Sequence, residues 1–537
     1  MKKLLLLCLL AGIFPRVACA QRIMPELGRG VTAVNRTQGD IRFNGGTYLI
    51  SWRRLADEPE DTRYRVYING TLAKETTNTN YVPASLSDGD LIVVNPVYNG
   101  VEDKSRGGNY TYKLRVANAF MEINFETTIC PADDFRTPFV FPADLNGDGQ
   151  TDWVVVRTTA VTGRNDMIQG YLADGTYLWT IDYGPNLNPV GGQNCELNVY
   201  DINCDGKAEV VTRSSDGTRF WDKANNTWGL YPKRSASGDV DGDGIIDYTK
   251  STTRNAPYYM SVVNGETGEE MDVCELNYSQ AQDGVDAYSR DNRADYMNDN
   301  DGKEYAFMAG HNIVTYDDGQ HPMIMSECLV RRVADRAHHN YVFGFTYDWN
   351  NGVPTNWHHS YTWSRNDKTP WPAEFHQLRA ADVDGDGRDE MLQGGYGVNT
   401  YKGMVFSAGI GHGDRFRVSD LDPTHPGMET YAIQQSNLLG QLVYDAATGK
   451  HLKEWYMASV GDVGRGECMD LDSTHLGYEV YSTIPNCYDI KGNLVRSGSN
   501  PFPYEGIWWD GDLGREKLGS AGGDGYSTNA HVEKDWG

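Results

Sequence analysis

Residues 380–391 read AADVDGDGRDEM. Oxygen-bearing side chains fall at positions 1, 3, 5 and 9 of the pattern D-x-[DN]-x-D-G-x-x-[DE], and the glycine at position 6 allows the sharp turn that brings them together. Hard oxygen ligands of this kind are typical of calcium sites. An EF-hand would also need a glutamate at position 12 and a helix on each side, and the sequence has neither here. The stretch therefore predicts a calcium-binding turn between strands.

The same pattern recurs from about residue 131 onward. Two variants of it, DLDPTHPGMETY and DLDSTHLGYEVY, begin at Asp420 and Asp470. We expect each ion to staple an inter-strand loop, and the alternative is that one ion helps to hold an acidic substrate. The calcium ligands predicted from the four complete copies are Asp144, Asn146, Asp148 and Asp152; Asp201, Asn203, Asp205 and Glu209; Asp239, Asp241, Asp243 and Asp247; and Asp382, Asp384, Asp386 and Glu390.

Short strands and tight turns separate the Asp-rich loops. Most copies are followed by a β-rich run such as WVVVR or EVVTR, and hairpin turns such as VVNGETGEEM and VYDAATGKHLKEW alternate with them. No segment keeps the period of 3.6 residues that marks an amphipathic helix. Repeats of about 40–55 residues built from strands and turns predict an all-β fold, a β-propeller of about seven or eight blades over residues 131–537.

The N-terminus reads as a secretory signal peptide. Residues 1–20 have a basic start, an apolar middle and a small-residue end, which predicts cleavage before Gln21. We therefore expect a secreted or periplasmic protein. No later apolar run approaches the ~20 residues that a membrane span needs.

Residues 21–130 carry no Asp-rich loop and alternate apolar with polar residues. Asn-Gly pairs at Asn69-Gly70 and Asn99-Gly100 are typical of hairpin turns. Short strands at regular spacing predict a fibronectin-III-like β-sandwich for this region.

The formal net charge is -26. So acidic a chain argues against a nucleic-acid partner, because nucleic-acid binding needs clustered lysine and arginine. It would also repel an acidic polysaccharide wherever cations do not offset the charge locally. The cysteines are scattered, and an odd number remains after signal removal, so no disulfide framework is predicted.

From about residue 285 to 513 the sequence resembles the rhamnogalacturonan lyases of polysaccharide lyase family 11, and more loosely the resemblance covers nearly the whole chain. It implies an N-terminal fibronectin-like domain, an eight-bladed propeller with several calcium ions, and cleavage of the rhamnose–galacturonate backbone of pectin (rhamnogalacturonan I) by β-elimination. The stretches that carry it are AADVDGDGRDEM, GIGHGDRFRVSDLDPTHPGMETY (409–431), LVYDAATGKHLKEW (442–455), VGDVGRGECMDLD (460–472) and GIWWDGDLGRE (506–516).

The chemistry of such a lyase needs a cation or an arginine. Eliminating the group at C4 of galacturonate requires removal of the C5 proton, which lies next to the carboxylate. Neutralising that carboxylate acidifies the proton, and a basic side chain then takes it.

The resemblance also implies site residues. Arg465 in DVGRG matches an arginine of the family's catalytic cleft, and its two flanking glycines would bring the backbone close to something. His376, His412 and Asp414 match positions around a cleft-side metal. A structural role is the alternative for each of these residues.

Substrate contacts are predicted more loosely. Asn292 and Arg293 in DNRAD echo a further family segment. Trp508 and Trp509 in GIWWDGD would stack on sugar rings, although tryptophans at blade positions are more often part of the core.

The sequence departs from the family pattern at several places. Pro138 replaces an asparagine that binds sugar in the family, Thr158 aligns with an aspartate that contacts rhamnose, and Arg417 replaces a second histidine. Family members continue past HVEKDWG into an Asn-Gly-Thr-Lys segment with the expected catalytic lysine. Truncation, which would leave the propeller incomplete, and divergence with altered or lost catalysis are both open interpretations.

Two functions remain at this point. The first is a secreted, calcium-dependent lyase of rhamnogalacturonan-type pectin. The second is a non-catalytic pectin-binding propeller that kept the fold and lost the catalytic base. An integrin-like adhesion propeller shares the calcium loops but does not predict GHGD or DVGRG.

Overall fold

The computed structural model describes most of the chain. Nowhere in this part does a helix reach the length and apolarity that a membrane crossing requires. The described residues are 22–25, 28–35, 48–55, 57–59, 61–112, 123–161, 164–184, 190–191, 194–195, 197–215, 217–223, 225–231, 258–275, 308–331, 338–367, 375–472, 474–500, 506–507, 516–520 and 530–533. The predicted features outside them are the signal peptide (1–20), Asp239, Asp241, Asp243, Asp247, Asn292, Arg293, Trp508 and Trp509.

The all-β fold class is confirmed. Within the described ranges the regular elements are β-strands, paired antiparallel, and one 3-10 turn at Lys104–Arg106. The chain forms two compact units. One comprises Met1–Ile23, Ile313–Met325 and Trp371–Gly537, and the other comprises Met24–Asn312 and Ser326–Pro370. The predicted domain bounds, 21–130 and 131–537, stay a prediction.

Two sheets near the N-terminus share one buried cluster. Their orders are β1-β2-β5 and β4-β3-β6-β7, with β8 also paired to β6. Successive side chains of a strand point to opposite faces of the sheet, and this explains the core: in strand β3 (Arg63–Ile68), Tyr64 and Val66 are buried whereas Arg63 is exposed. The strands are β1 (Thr32–Asn35), β2 (Tyr48–Ser51), β3 (Arg63–Ile68), β4 (Thr71–Thr76), β5 (Asn80–Tyr81), β6 (Leu91–Tyr98), β7 (Val101–Glu102) and β8 (Gly108–Thr111). The fibronectin-III-like type stays a prediction.

Residues 135–275 form a six-stranded sheet, a four-stranded sheet and one short pair. The six-stranded order is β18-β17-β12-β11-β10-β9, the four-stranded order is β15-β16-β19-β20, and β13 pairs with β14. The strands are β9 (Phe135–Ala143), β10 (Asp152–Thr159), β11 (Met167–Tyr171), β12 (Tyr177–Asp182), β13 (Val190–Gly191), β14 (Asn194–Cys195), β15 (Leu197–Tyr200), β16 (Glu209–Ser215), β17 (Arg219–Asp222), β18 (Thr227–Leu230), β19 (Tyr258–Asn264) and β20 (Glu270–Glu275).

The remaining strands repeat a four-stranded antiparallel pattern in chain order, followed by a last three-stranded sheet. They are β21 (Met308–Thr315), β22 (Met323–Arg331), β23 (His338–Asn350) and β24 (Val353–Asp367); β25 (Arg379–Ala381), β26 (Glu390–Leu392), β27 (Tyr396–Asn399) and β28 (Gly403–Ser407); β29 (Phe416–Ser419), β30 (Glu429–Ile433), β31 (Gln435–Asp445) and β32 (His451–Asp462); β33 (Gly466–Met469), β34 (Glu479–Ser482), β35 (Cys487–Asp489) and β36 (Leu494–Arg496); and β37 (Gly506–Ile507), β38 (Glu516–Ser520) and β39 (Ala530–Glu533).

Neighbouring four-stranded sheets of the first unit pack on one another through apolar side chains. Leu392 and Phe406 of one sheet share a buried cluster with Phe416 and Leu442 of the next. Burying such a side chain contributes about 1.5–3 kcal/mol. The predicted hairpins, such as β31–β32 in VYDAATGKHLKEW, are confirmed. The number and closure of blades stay a prediction.

Candidate functional site

Each described Asp-rich loop ends on a buried carboxylate at the start of the next strand. There the carboxylate accepts a hydrogen bond from the backbone N–H of the second loop residue, which closes the loop onto the sheet. The pairs are Asp152 with Leu145 (3.0 Å), Glu209 with Ile202 (3.1 Å), Glu390 with Val383 (3.0 Å), Glu429 with Leu421 (2.8 Å) and Glu479 with Leu471 (2.7 Å). The variants at Asp420 and Asp470 therefore keep this closing hydrogen bond, although each is one residue longer than the complete copies.

The turn inside the complete copies follows from their glycines. Gly149, Gly206 and Gly387 stand at position 6 with φ of 79°, 91° and 89°, the left-handed region that glycine adopts without strain. The other predicted ligands of the first two loops are held by hydrogen bonds within the loop: Asp144 accepts from Gly147 (2.7 Å), Asn146 donates to Asp148 (3.2 Å), Asp201 accepts from Asp205 (2.9 Å), and Asn203 donates to Glu209 (3.0 Å) and Asp205 (3.2 Å).

The opening loop, 382–390, gathers three of its four predicted ligands. Asp382, Asp384 and Glu390 each bring one carboxylate oxygen within 4.8 Å of the others. The fourth, Asp386, accepts a hydrogen bond from Lys402 Nζ at 3.0 Å, and the same ammonium group also pairs with Asp384. The arrangement offers a cation oxygen donors alone, which is the donor set that calcium prefers.

Burial sets the pKa of the loop carboxylates. It raises the pKa of Asp152 to about 6, of Glu390 to about 7 and of Glu209 to about 8, and the neighbouring loop carboxylates add to the shift. Buried acidic groups of this kind are costly to ionise without a cation beside them. The loops are therefore built for a positive partner.

One variant loop carries such a partner in its own sequence. His425 Nδ1 lies 2.7 Å from Glu429 Oε1, and its Nε2 lies 3.8 Å from Asp445. When protonated, this imidazole places a positive charge beside the buried glutamate. The loop beginning at Asp420 thus differs in charge balance from the opening loop.

A second cluster of ligating side chains joins residues from two separate loops of the first unit. His376 follows the buried Phe375, and His412 and Asp414 lie in the GHGD turn between β28 and β29. His376 Nε2 is 3.4 Å and His412 Nε2 is 3.8 Å from Asp414 Oδ1. The two imidazole rings lie edge to face, 5.0 Å apart between centroids. The structure thus brings together the three residues that the resemblance predicts around a metal.

Buried glutamines fix the backbone of this cluster. Gln393 accepts a hydrogen bond from the N–H of Phe375 at 2.7 Å and donates to its carbonyl at 2.8 Å, so the residue before His376 is held on both sides. Gln434 accepts from the N–H of Gly411 at 3.1 Å, next to His412. Both glutamines are almost fully buried.

Gly413 has to be a glycine because of close packing. A Cβ there would lie 2.0 Å from the carbonyl oxygen of Ile433 and 2.6 Å from Phe375. The same close approach includes a parallel bridge between Phe375 and Gly413. Packing around Gly413 therefore sets the distance between His376 and the GHGD turn.

Arg465 completes the cluster. Its NH1 donates to Asp414 Oδ2 at 2.9 Å and to the carbonyl of Gly464 at 2.6 Å. Burial alone would raise the pKa of Asp414, but the hydrogen bond from His376 and the charges of His376, Arg465 and His412 outweigh it and hold this pKa below its usual range. Asp414 is therefore a carboxylate at neutral pH.

Backbone geometry and close packing explain the two glycines that flank Arg465. Gly464 has a φ of 65°, and a Cβ on Gly466 would lie 2.3 Å from Ile433 and 2.6 Å from the Tyr431 hydroxyl. The backbone does approach something closely at Gly466, as the sequence predicts, and the neighbours are protein side chains.

The three residues that depart from the family pattern, Pro138, Thr158 and Arg417, lie within the described residues. Arg417 forms a bidentate pair with Glu467, at 2.7 and 2.6 Å. Pro138 lies exposed on β9, and Thr158 on β10 pairs with Arg136 across the sheet.

Sequence reasoning missed the two buried glutamines and the Arg417–Glu467 pair. Their partners lie 18 to 50 residues away in the chain. The only local signal is a polar residue within an otherwise apolar run, as in the stretch EMLQGGYGV. That signal does not name the partner.

Comparison with known proteins defines the class of this chain. The family model described as "Rhamnogalacturonan lyase family 11, C-terminal domain" matches residues 140–535, and the model "Rhamnogalacturonan I lyases beta-sheet domain" matches residues 22–109. The chain therefore belongs to rhamnogalacturonan lyase family 11, and it is an enzyme of the lyase class.

Two relatives come from Bacillus subtilis strain 168. The chain is 30% identical to the rhamnogalacturonan endolyase YesW over 96% of its own length and 78% of that protein. It is 28% identical to the rhamnogalacturonan exolyase YesX over 93% of its length and 78% of that protein. The crystal structure of rhamnogalacturonan lyase YesW superimposes with a TM-score of 0.69 at 27% identity, covering 93% of this chain and 80% of that one.

Proposed function

We propose that the protein is a secreted, calcium-dependent lyase that cleaves rhamnogalacturonan-type pectin by β-elimination at a site built from His376, His412, Asp414 and Arg465. The family and the two named relatives support the lyase activity and the polysaccharide. The signal-peptide pattern of residues 1–20 supports secretion.

The state of Arg465 is the observation that carries this proposal. Only NH1 of its guanidinium is engaged, and Nε and NH2 have no partner among the residues that the structure describes. The side chain is 25% exposed. Arginine binds carboxylates through parallel N–H donors, so Arg465 is prepared to take the carboxylate of a galacturonate residue.

We assign a different role to each residue of the cluster. Asp414 orients Arg465 through the hydrogen bond to NH1, so that the free N–H groups are presented in a fixed direction. With its carboxylate neutralised, galacturonate loses the C5 proton to a basic group more readily, and the C4 substituent leaves. Burial of His412 beside Asp414 keeps that end of the site from bulk water.

Metal ions enter the proposal at two kinds of site. The oxygen donors of Asp382, Asp384 and Glu390 fit calcium, which we propose as a structural ion of the Asp-rich loops. The cluster of His376, His412 and Asp414 fits a divalent cation that accepts imidazole nitrogen. Such a cation would supply positive charge beside the substrate carboxylate.

Product chemistry tests the proposal. The purified protein with calcium is incubated with rhamnogalacturonan I, and the ultraviolet absorbance of an unsaturated uronide is followed. A matched substrate whose carboxyl groups are reduced to alcohols is the control, because it lacks the group that acidifies the C5 proton. We expect absorbance to rise only with the unreduced polymer. Binding without an unsaturated product would point instead to the non-catalytic pectin-binding protein.

Manganese and calcium are compared in the same assay on metal-depleted protein. Calcium restoring thermal stability and manganese restoring activity would separate the two kinds of metal site.

A further inference from the structure

The second unit contains a cleft of about 320 Å³ whose lining combines tryptophans with arginines. Its lining includes Arg164, Asp182, Arg219, Trp221 and Trp228. It uses none of the residues of the histidine–aspartate cluster. The question is which ligand such a lining would accept.

A hairpin that joins the six-stranded sheet from a distant part of the chain forms one wall. Strand β17 pairs with β12, placing Arg219 opposite Asp182, and Trp221 faces Trp228 across β17 and β18. Residues alternate sides along a strand, so Phe220 points to the other side. There it stacks on the buried Tyr231 at 5.2 Å, which anchors the hairpin.

Trp221 takes no part in that stacking, and Trp228 packs against the buried cluster of Cys130, Phe135 and Met167. Both are only half-buried, and their rings meet edge to face at 5.3 Å with planes 72° apart. Two aromatic planes at that angle make a corner with apolar walls. Tryptophan combines an apolar face with a polar N–H, so such a corner suits a ring that carries both C–H and hydroxyl groups.

The arginines supply positive charge to the same cleft. Arg219 donates from Nε at 3.0 Å and NH2 at 2.9 Å to Asp182, whose side chain is 1% exposed, and its guanidinium lies 4.6 Å from the Trp228 ring centroid. Arg164 pairs through NH2 with Asp134 at 2.8 Å and is 37% exposed. Nε and NH1 of Arg164 and NH1 of Arg219 have no partner within the described ranges.

The two arginines of the cleft lie on an acidic chain. The formal net charge of -26 repels a polyanion, and binding one requires cations placed where the anion lies. Each of the two arginines is paired with one carboxylate, Arg219 with Asp182 and Arg164 with Asp134, so the paired charges balance. The N–H groups of the guanidinium groups that these pairs leave over suit a carboxylate, and the tryptophan corner suits a ring.

We propose that this cleft binds a uronate sugar residue of the polysaccharide, with the pyranose ring against Trp221 and Trp228 and the carboxylate on Arg164 and Arg219. The identity of the polymer rests on the proposed function, while the uronate chemistry rests on the lining itself. The site would hold the acidic backbone of rhamnogalacturonan on the enzyme independently of the cluster around Arg465.

The test uses the full-length protein with calcium and titration calorimetry. The probe is a rhamnogalacturonan oligosaccharide, with a carboxyl-reduced oligosaccharide of equal length as the second probe. Trp221→Ala removes a wall of the corner, and Arg164→Met removes a charge at an exposed position. The control is Arg63→Met, because Arg63 is also an exposed arginine in a 2.8 Å ion pair, with Glu75. Arg219 is left intact because its loss would strand the buried Asp182.

We expect a class of binding that Trp221→Ala and Arg164→Met each weaken about tenfold, while Arg63→Met leaves it unchanged. The carboxyl-reduced probe should bind this class about tenfold more weakly to the wild type. Equal affinity of both variants and the wild type would overturn the proposal, as would equal affinity for the two probes. The titrations are repeated in the Asp414→Asn background, where slow turnover leaves the probe intact. A wild type that forms no unsaturated product, although this class of binding is present, would refute the proposed function alone.

Discussion

The loop at 382–390 and the cluster of His376, His412 and Asp414 each bring three metal-binding side chains within 4.8 Å of one another. The pKa of the buried carboxylate is shifted in opposite directions in the two places. In the loop, burial and like charges raise the pKa of Glu390 to about 7. In the cluster, Arg465 and two histidines hold the pKa of Asp414 below its usual range despite its burial. Lys402 pairs with Asp384 and Asp386 of the loop but not with Glu390, which has no ion pair among the described residues, whereas the protein's own groups balance Asp414 in the cluster.

This difference predicts that the loop affects the stability of the protein, whereas the cluster affects its activity. A loop whose buried carboxylate has hydrogen bonds but no ion pair should gain stability when a cation occupies it. A charge-compensated cluster stays organised without one, and part of its arginine remains free for a ligand. Substitutions in the two regions should therefore move different measurements.

The largest effect should follow Asp414→Asn. Loss of the carboxylate removes the group that orients Arg465 and the oxygen donor of the cluster, so we expect the rate of unsaturated product formation to fall about 100- to 1000-fold. The melting temperature should change little, because the amide keeps the size of the side chain. Asp382→Asn is the matched loop variant and should show the reverse, a near-normal rate and a lower melting temperature in calcium.

Arg465→Gln should lower kcat/KM about 100-fold, because the substrate carboxylate loses its guanidinium partner. Arg417→Gln is the contrast within the same sheet region. It removes the guanidinium partner of the buried Glu467, so we expect the free energy of unfolding in urea to fall by about 3 kcal/mol. If both variants lost stability alone, the distinction between a ligand-binding and a structural arginine would be wrong.

Glu390→Gln tests whether the buried carboxylate of the loop binds calcium. Without calcium the variant should melt above the wild type at pH 8, since it no longer buries a charge beside Asp382 and Asp384. Added calcium should raise its melting temperature less than it raises that of the wild type, because one oxygen donor has lost its charge. Calorimetric melting with and without a chelator checks both statements, and an equal calcium increment in the two proteins would contradict them.

A smaller effect is expected from pH. Asp152, Glu390 and Glu209, with pKa values raised to about 6, 7 and 8, bind more protons in the calcium-free fold than in the unfolded chain between about pH 4.5 and 8. Stability without calcium should therefore fall as pH rises through that window. The calcium-induced rise in melting temperature should be larger at pH 8 than at pH 5, and a rise that is equal at both pH values would count against the loops as calcium sites.

The Asp-rich loops show how far local sequence reaches. The spacing of nine residues predicted the turn, the role of Gly387 and the placement of Glu390 at the start of a strand, because all of these contacts lie within one loop. It did not predict that Lys402 holds Asp386, since that partner comes from another hairpin, 16 residues further on.

The two ligand sites show the same limit at longer range. Family resemblance brought His376 together with Asp414, but nothing near either residue indicates that Gln393 and Gln434 fix their backbone. The cleft with Trp221 and Trp228 was not predicted, because strand β17 pairs with β12 across intervening strands. Pairings of this kind depend on the whole fold and leave no periodic signal in the strand itself.

The most direct measurement is a crystal structure of the metal-depleted wild-type protein with a rhamnogalacturonan oligosaccharide bound. A galacturonate carboxylate should lie within hydrogen-bonding distance of the Arg465 guanidinium, with the same sugar residue close to His376 and His412. An oligosaccharide that occupies the protein without touching Arg465 or either histidine would contradict the account.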